Sequence, residues 1–182
     1  MYEVVKGNKP YKREIICLTN GTYYGDLLAN EGIKITYFNL KKNLYDVIKL
    51  LKIYLYILRK KPYLIHSFLY HSDVIASIFG KLAFTNKILW SVHHDFIASE
   101  NSVLRNIQVK FLSIISNFLT DKIIFCSKES LNNHVQLGYS KRKSVIINNG
   151  ICTKKFYPRK KNYYKIRDLL NIKKEIFLIG HI

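Results

Sequence analysis

Acidic residues and long apolar runs are both scarce in this sequence. Of its 182 residues, 12 are Asp or Glu against 30 Lys or Arg, so the formal net charge is +18. Unbroken apolar runs such as residues 53–58 are far shorter than the roughly 20 residues that a membrane-spanning helix requires. The N-terminus also lacks an apolar stretch followed by a small-residue cleavage site. Neither a membrane span nor a secretory signal is therefore predicted.

Cysteine is rare as well. Cys17, Cys126 and Cys152 form no C-x-x-C pair and no cluster with histidine. An odd number of cysteines without such spacing is typical of a chain in a reducing compartment. We predict a cytoplasmic protein with no disulfide and no metal site.

The motifs of several large enzyme classes are missing. The sequence contains no G-x-G-x-x-G, no G-x-x-x-x-G-K-[ST], no G-x-S-x-G and no H-E-x-x-H. The sequence therefore does not support assignment to the dinucleotide-binding enzymes, P-loop nucleotidases, serine hydrolases or zinc proteases. No resident cofactor is predicted.

The strong positive charge is open to several interpretations. A pI near 9.8 favours a polyanionic partner, which includes nucleic acid, an anionic membrane face and a phosphorylated substrate. An AT-rich coding sequence would also enrich the protein in Lys, Ile, Asn and Tyr and deplete it of alanine, without any such partner. The chain has only four alanines, which agrees with this explanation. Against nucleic acid, the aromatic residues lie in the predicted core and no recognition motif occurs. We do not expect nucleic acid as a partner, and a basic nucleic-acid-binding module is kept as a less favoured alternative.

Apolar periodicity alternates between strands and helices along the chain, and 48% of the residues are hydrophobic. Strands are predicted at 14–18, 33–38, 63–66, 87–92, 122–127, 144–148 and 176–182. Between most of them lies a helical pattern, which provides the crossover that parallel strands need. We predict a Rossmann-like α/β domain: an open, mainly parallel sheet with helices on both faces.

Three helical stripes are each predicted to form one buried face. Ser72 and Ser127 are predicted to cap the helices that follow them. The stripes consist of Val47, Leu50, Leu51, Tyr54, Leu55 and Leu58, of Val74, Ile75, Ile78, Phe79, Leu82 and Ala83, and of Leu104, Ile107, Phe111, Ile114, Ile115 and Phe118.

A basic, polar stretch follows Pro158 and marks a domain boundary. We predict a first domain at 1–158, and at 159–182 a linker with the first helix and strand of a second domain that is not present.

Polar residues follow the ends of three predicted strands, where an open parallel sheet binds its ligands. Tyr70, His71 and Asp73 are candidates to bind sugar hydroxyls, although Asp73 in a first helical turn is equally explained by the helix dipole.

A second cluster, at the end of the next strand, consists of two adjacent histidines. His93 and His94 point to opposite sides of an extended chain, which disfavours a shared metal. A neutral imidazole can accept a proton or hydrogen bond from an acceptor hydroxyl. A histidine bonded only to backbone is the alternative. Asn149 and Gly150 form a third cluster, in a turn after a strand.

In order and spacing, these segments resemble the N-terminal half of family-4 glycosyltransferases. The resemblance covers roughly residues 10–182, and its most specific part is the Asn-Gly-Ile…Phe-x-Pro stretch at 149–158. The matching segments are 68–73, 90–94, 121–127, His134, 138–139, 148–151, Phe156 and Pro158.

The resemblance implies one half of a GT-B enzyme with two Rossmann-like domains. It implies retaining sugar transfer from a nucleotide sugar, without an essential metal, to a sugar or lipid-linked acceptor. This chain would be the acceptor-binding half, with His93 as the catalytic histidine and Asn149 and Gly150 in the interdomain cleft. Donor binding would belong to the missing C-terminal domain, so we expect the chain to be nearly inactive alone.

Two questions remain open at this level. The chain is either the acceptor half of an enzyme of polysaccharide or glycoconjugate synthesis, or a non-catalytic remnant of a disrupted gene. The helix at 46–61 either contacts an anionic membrane with its basic, apolar surface, or packs this stripe against the sheet.

Overall fold

The computed structural model describes residues 11–21, 23–41, 43–93, 103–154, 156–157, 165, 167–173 and 175–176. The chain divides into two compact units, Met1–Asn148 and Asn149–Ile182. The predicted domain boundary at residue 158 stays a prediction. The predicted strand at 176–182 lies almost wholly outside the described residues, and so do residues 163, 164 and 166 of the helix predicted before it.

The first unit alternates strands and helices, as the periodicity predicts. A 3-10 turn, Lys141–Lys143, precedes the last strand. The elements are β1 (Glu14–Cys17), α1 (Tyr23–Asn30), β2 (Lys34–Tyr37), α2 (Asp46–Lys60), β3 (Leu64–Phe68), α3 (Tyr70–Leu82), β4 (Lys87–Val92), α4 (Val103–Ser116), β5 (Lys122–Phe125), α5 (Lys128–Gln136) and β6 (Ser144–Ile146).

Every strand pair in the described structure is parallel. β1 pairs with β2, and β3, β4, β5 and β6 form a second sheet in that order. In its register Ser67 lies opposite Trp90, and Trp90 lies opposite Ile123. Because parallel strands end at the same edge, the residues that follow β3, β4 and β5 share one rim.

Helices lie on both faces of the sheets. Ile15 of β1 packs with Leu28 of α1, whereas its neighbour Ile16 packs with Ile53 of α2. Side chains alternate between the two faces of a strand. α1 and α2 therefore cover opposite faces of the first sheet, and the predicted Rossmann-like class is confirmed.

The main core lies between the second sheet and the helices α3, α4 and α5. Trp90 is fully buried at its centre, and its indole Nε1 donates a hydrogen bond of 2.9 Å to Ser77 Oγ of α3. Burying a large apolar side chain contributes about 1.5–3 kcal/mol. The other fully buried or nearly buried members are Ile88, Val92, Val109, Leu112, Ile115, Ile123, Phe125 and Tyr139.

The prediction for the third helical stripe is wrong for most of its residues. Ile115 is buried, but the helix turns Val109 and Leu112 to the core. The residues Ile107, Phe111, Ile114 and Phe118 are exposed. α4 is apolar on two sides, and periodicity alone does not tell which side meets the sheet.

The first predicted stripe, on α2, is also only partly buried. Leu50, Tyr54 and Leu58 join the core around Ile53 and Ile57, so the packing interpretation of this helix holds for them. Val47 and Leu51 are exposed, as are their neighbours Leu44, Tyr45 and Ile48.

Of the two predicted helix caps, one is confirmed. Ser127 precedes α5, and its Oγ accepts a 3.0 Å hydrogen bond from the backbone N–H of Ser130. Ser72 is not a cap, because α3 begins at Tyr70 and its N-cap position is Leu69.

Candidate functional site

The rim of the second sheet is formed where β3 and β4 end. β3 ends at Phe68 and α3 begins at Tyr70, so a single residue makes the turn. That residue, Leu69, has φ 76° and ψ 147°, a region that strongly favours glycine. Because of this strained turn, the first residues of α3 lie directly at the carboxyl edge of the sheet.

Three rings follow one another along this rim. The ring of His93, directly after β4, stacks on Phe68 at 5.8 Å between centroids with 17° between planes. Phe68 in turn lies 4.5 Å from the ring of His66. His93 is exposed, so its imidazole stands at the solvent end of this row.

The inner ring of the row is held in a defined state. His66 Nε2 lies 2.7 Å from Ser91 Oγ on the neighbouring strand. Burial lowers the pKa of His66 to about 4, so this imidazole is neutral at physiological pH. The neutral ring of His66 therefore packs against Phe68 and adds no charge to the rim.

Tyr70, predicted to bind the acceptor, directs its hydroxyl into the protein. The hydroxyl lies 2.8 Å from Nε2 of His134, which is fully buried. Nδ1 of His134 lies 2.7 Å from the backbone oxygen of Ser130. A carbonyl oxygen only accepts, so for a neutral ring Nδ1 carries the proton and the Tyr70 hydroxyl donates to Nε2.

His71 and Asp73, in the same helical turn as Tyr70, face other directions. His71 is exposed, and its Nδ1 accepts a hydrogen bond of 2.8 Å from Gln108 Nε2 of α4. The carboxyl of Asp73 is 1% exposed and accepts a 2.6 Å hydrogen bond from Ser67 Oγ. Burial raises the pKa of Asp73 to about 7.

The structure thus does not bring these three predicted binding residues together. The burial of Asp73 favours a structural role, since its carboxyl is enclosed by protein. Binding of an acceptor by Tyr70, His71 or Asp73 stays a prediction, as does catalysis by His93.

The remaining predicted residues lie elsewhere. His94 is outside the described residues. Asn149 and Gly150 are exposed and belong to the second compact unit, and their predicted place in a cleft stays a prediction.

His134 is the residue of this region whose role the sequence did not indicate. In the sequence it is only one position of the family pattern. In the structure its ring lies 5.0 Å from Tyr139 and 5.2 Å from Phe125, in contact with the main core. A hydrogen bond between positions 64 residues apart leaves no local signal in the sequence.

Neither a metal site nor a membrane span is found in the part of the chain that the structure describes. Within these residues, no group of three or more His, Cys, Asp or Glu side chains could hold a metal ion. No helix among them is long and apolar enough to cross a bilayer.

Comparison with solved structures shows the same fold. HepE of Anabaena, crystallised with UDP, matches with a TM-score of 0.72 at 18% identity over 92% of this chain. Its complexes with UDP and glucose and with UDP-glucose match with TM-scores of 0.71 at 17% identity and 0.68 at 19% identity. In all three, the match covers 45% of the HepE chain.

The family is shown by the sequence itself. No curated protein sequence matches the chain, but the sequence model of Glycosyltransferase Family 4 matches residues 11–155. This match spans the whole rim described above, from β1 to the turn after β6. The chain belongs to Glycosyltransferase Family 4.

Proposed function

We propose that this chain is the acceptor-binding half of a retaining glycosyltransferase that uses a nucleotide-sugar donor. Membership of the family supports sugar transfer, and the relative of similar fold was crystallised with UDP and with UDP-glucose. The chain corresponds to 45% of the length of that relative. We assign donor binding to a second domain, and the chain alone has little activity.

The observation that carries this proposal is the exposed His93 at the carboxyl end of β4, stacked on Phe68. In sugar transfer the acceptor oxygen forms a bond to the anomeric carbon, the bond to the leaving nucleoside diphosphate breaks, and the hydroxyl proton passes to a base or to the leaving phosphate. A histidine at the rim can hold and orient that hydroxyl, which is the part of catalysis that positioning supplies.

The second requirement is stabilisation of the leaving diphosphate by cationic groups. In our proposal these groups belong to the donor domain, so we expect this half alone to have little activity. The enzyme is a hexosyltransferase of polysaccharide or glycoconjugate synthesis in the cytoplasm, and its acceptor is a sugar or a lipid-linked sugar. A lipid-linked acceptor requires peripheral contact with an anionic membrane.

The test is a transfer assay with a panel of nucleotide sugars and saccharide acceptors. The purified chain is assayed alone and mixed with a separately expressed donor-binding domain. We expect turnover only in the mixture, with retained anomeric configuration by NMR. His93→Ala should lower kcat at least tenfold, and His93→Gln, which keeps a hydrogen-bonding side chain, should restore part of it.

Other outcomes reject defined parts of the proposal. Inversion at the anomeric carbon rejects the retaining mechanism, and turnover by the chain alone rejects its inactivity. No transfer under either condition supports a non-catalytic remnant. Full activity of His93→Ala removes the assigned role of this histidine.

A further inference from the structure

Helix α4 carries a second apolar stripe that faces away from the core. Its inner side is buried through Val109, Leu112 and Ile115. The opposite side repeats large apolar residues at intervals of four and three, which places them in one row along the helix, and Phe118 follows in the turn after α4 ends at Ser116. This outer stripe consists of Ile107, Phe111, Ile114 and Phe118, which are 60%, 43%, 57% and 75% exposed.

A second exposed apolar surface lies at the start of α2. Both α2 and α4 contact α3, and the three helices lie side by side on the same face of the sheets. α3 adds one exposed leucine, Leu82. The α2 patch consists of Leu44, Tyr45, Val47, Ile48 and Leu51.

Exposed apolar rows of this size mark interaction surfaces in globular proteins. Neither surface is needed for the core, because each helix already buries another side. What these surfaces bind therefore has to be decided from their surroundings.

The exposed charged residues within the three helices have one sign, although Glu14 of β1 pairs with Lys60 at 2.6 Å and Asp121 pairs with Lys81 at 4.0 Å. The three helices contain only two acidic residues, Asp46 and Asp73, and these are 8% and 1% exposed. Lys52, Arg59 and Lys110 are exposed on α2 and α4. The outer surface of this helical layer thus combines apolar and cationic side chains, with both of its carboxylates buried.

An anionic bilayer matches this combination. Helices at a membrane interface bury apolar side chains at the boundary of headgroups and acyl chains, while Lys and Arg meet the anionic headgroups. A second copy of the chain does not match it, because each copy carries a net charge of +18 and like charges repel.

We propose that the outer stripe of α4, with the α2 patch as a second contact, docks on the surface of an anionic lipid bilayer. Only the purpose of the docking, which is to bring the rim to a lipid-linked acceptor, rests on the proposed function. The binding itself depends on the helical layer alone.

The test is flotation of the purified chain with vesicles, without any sugar substrate. We expect binding to vesicles that contain phosphatidylglycerol and weak binding to phosphatidylcholine alone. The triple variant Ile107→Gln, Phe111→Gln and Ile114→Gln should lower partitioning roughly tenfold or more, since three interfacial anchors are lost. Glutamine is a good helix former, and circular dichroism verifies that the variant is folded.

The matched control is the pair Tyr23→Gln and Tyr24→Gln. These exposed aromatic residues lie on α1, on the opposite face of the first sheet, and their substitution should leave binding unchanged. Equal binding of the triple variant and the unsubstituted chain overturns the proposal, and so does equal binding to both kinds of vesicle.

Two further results separate the alternatives. If light scattering shows a dimer that the triple variant abolishes, while no vesicles bind, the stripe is an interface between copies and the proposal fails. If vesicles bind as expected but the transfer assay fails, the docking stands and only the transferase proposal is rejected.

Discussion

The hydroxyl of Tyr70 lies 2.8 Å from Nε2 of His134, 64 positions further along the chain. This bond ties the first residue of α3 to the buried side of α5. Because α3 begins directly at the rim, the bond holds the start of this helix in place beside Phe68. Tyr70 is thus linked to the core through its hydroxyl.

The first prediction concerns this bond. Tyr70→Phe removes the donated hydrogen bond at a buried imidazole and should lower the free energy of unfolding by about 1–3 kcal/mol. The measurement is chemical denaturation monitored by fluorescence. The control is Tyr63→Phe, since Tyr63 is exposed, and its effect should stay within about 0.5 kcal/mol. Equal stability of the two variants would show that the bond to His134 contributes nothing.

The second prediction is a pair of opposite pH dependences. Folding raises the pKa of Asp73 by burial from 3.8 to about 7. Between these values the folded state keeps a proton that the unfolded state has released, so this contribution to stability falls as the pH rises. Burial lowers the pKa of His66 from 6.5 to about 4. Here the unfolded state binds the extra proton, so this contribution to stability falls as the pH drops.

In the unsubstituted chain the two effects oppose each other between about pH 4 and 6.5. Asp73→Asn removes the contribution of Asp73. The free energy of unfolding of this variant, minus that of the unsubstituted chain, should therefore increase by roughly 2–4 kcal/mol between pH 4 and 7. His66→Gln should show the reverse trend. The measurement is urea denaturation across this pH range, and identical profiles for the two variants would contradict the prediction.

The third prediction concerns the strained turn at Leu69. At φ 76° a side chain is disfavoured, so Leu69→Gly should be about 1 kcal/mol more stable than Leu69→Ala. The matched position is Leu51, an exposed leucine inside α2. There the order should reverse, with alanine about 1 kcal/mol better than glycine. Thermal unfolding of the four variants is the measurement, and the same order at both positions would show that the turn is not strained.

Local signals predicted the features that depend on neighbouring residues. The alternation of strand and helix patterns is confirmed, because each strand and helix forms from residues close in sequence. Ser127 is confirmed as a cap for the same reason, since its partner Ser130 is three residues away. The expectation for Ser72 fails because the N-cap of α3 lies three residues earlier, at a strained Leu69 that no propensity would select.

Local signals did not predict which side of a helix packs against the sheet. α4 has apolar residues on two sides, so its periodicity fits two orientations, and contact with Trp90 and Phe125 selects one. The same limit applies to Asp73. Its place in a first helical turn agrees with a rim position, yet its carboxyl is enclosed beside Ser67.

By itself, the sequence determined the strand and helix order, the parallel α/β class and the family, because these follow from short-range patterns and from motifs in a fixed order. The tertiary structure alone decided that His93 stacks on Phe68, that Tyr70 bonds His134, and which side of α4 stays exposed. Each of these depends on residues that are distant in the chain and meet only when the sheet has formed, so packing, and not local propensity, sets the outcome.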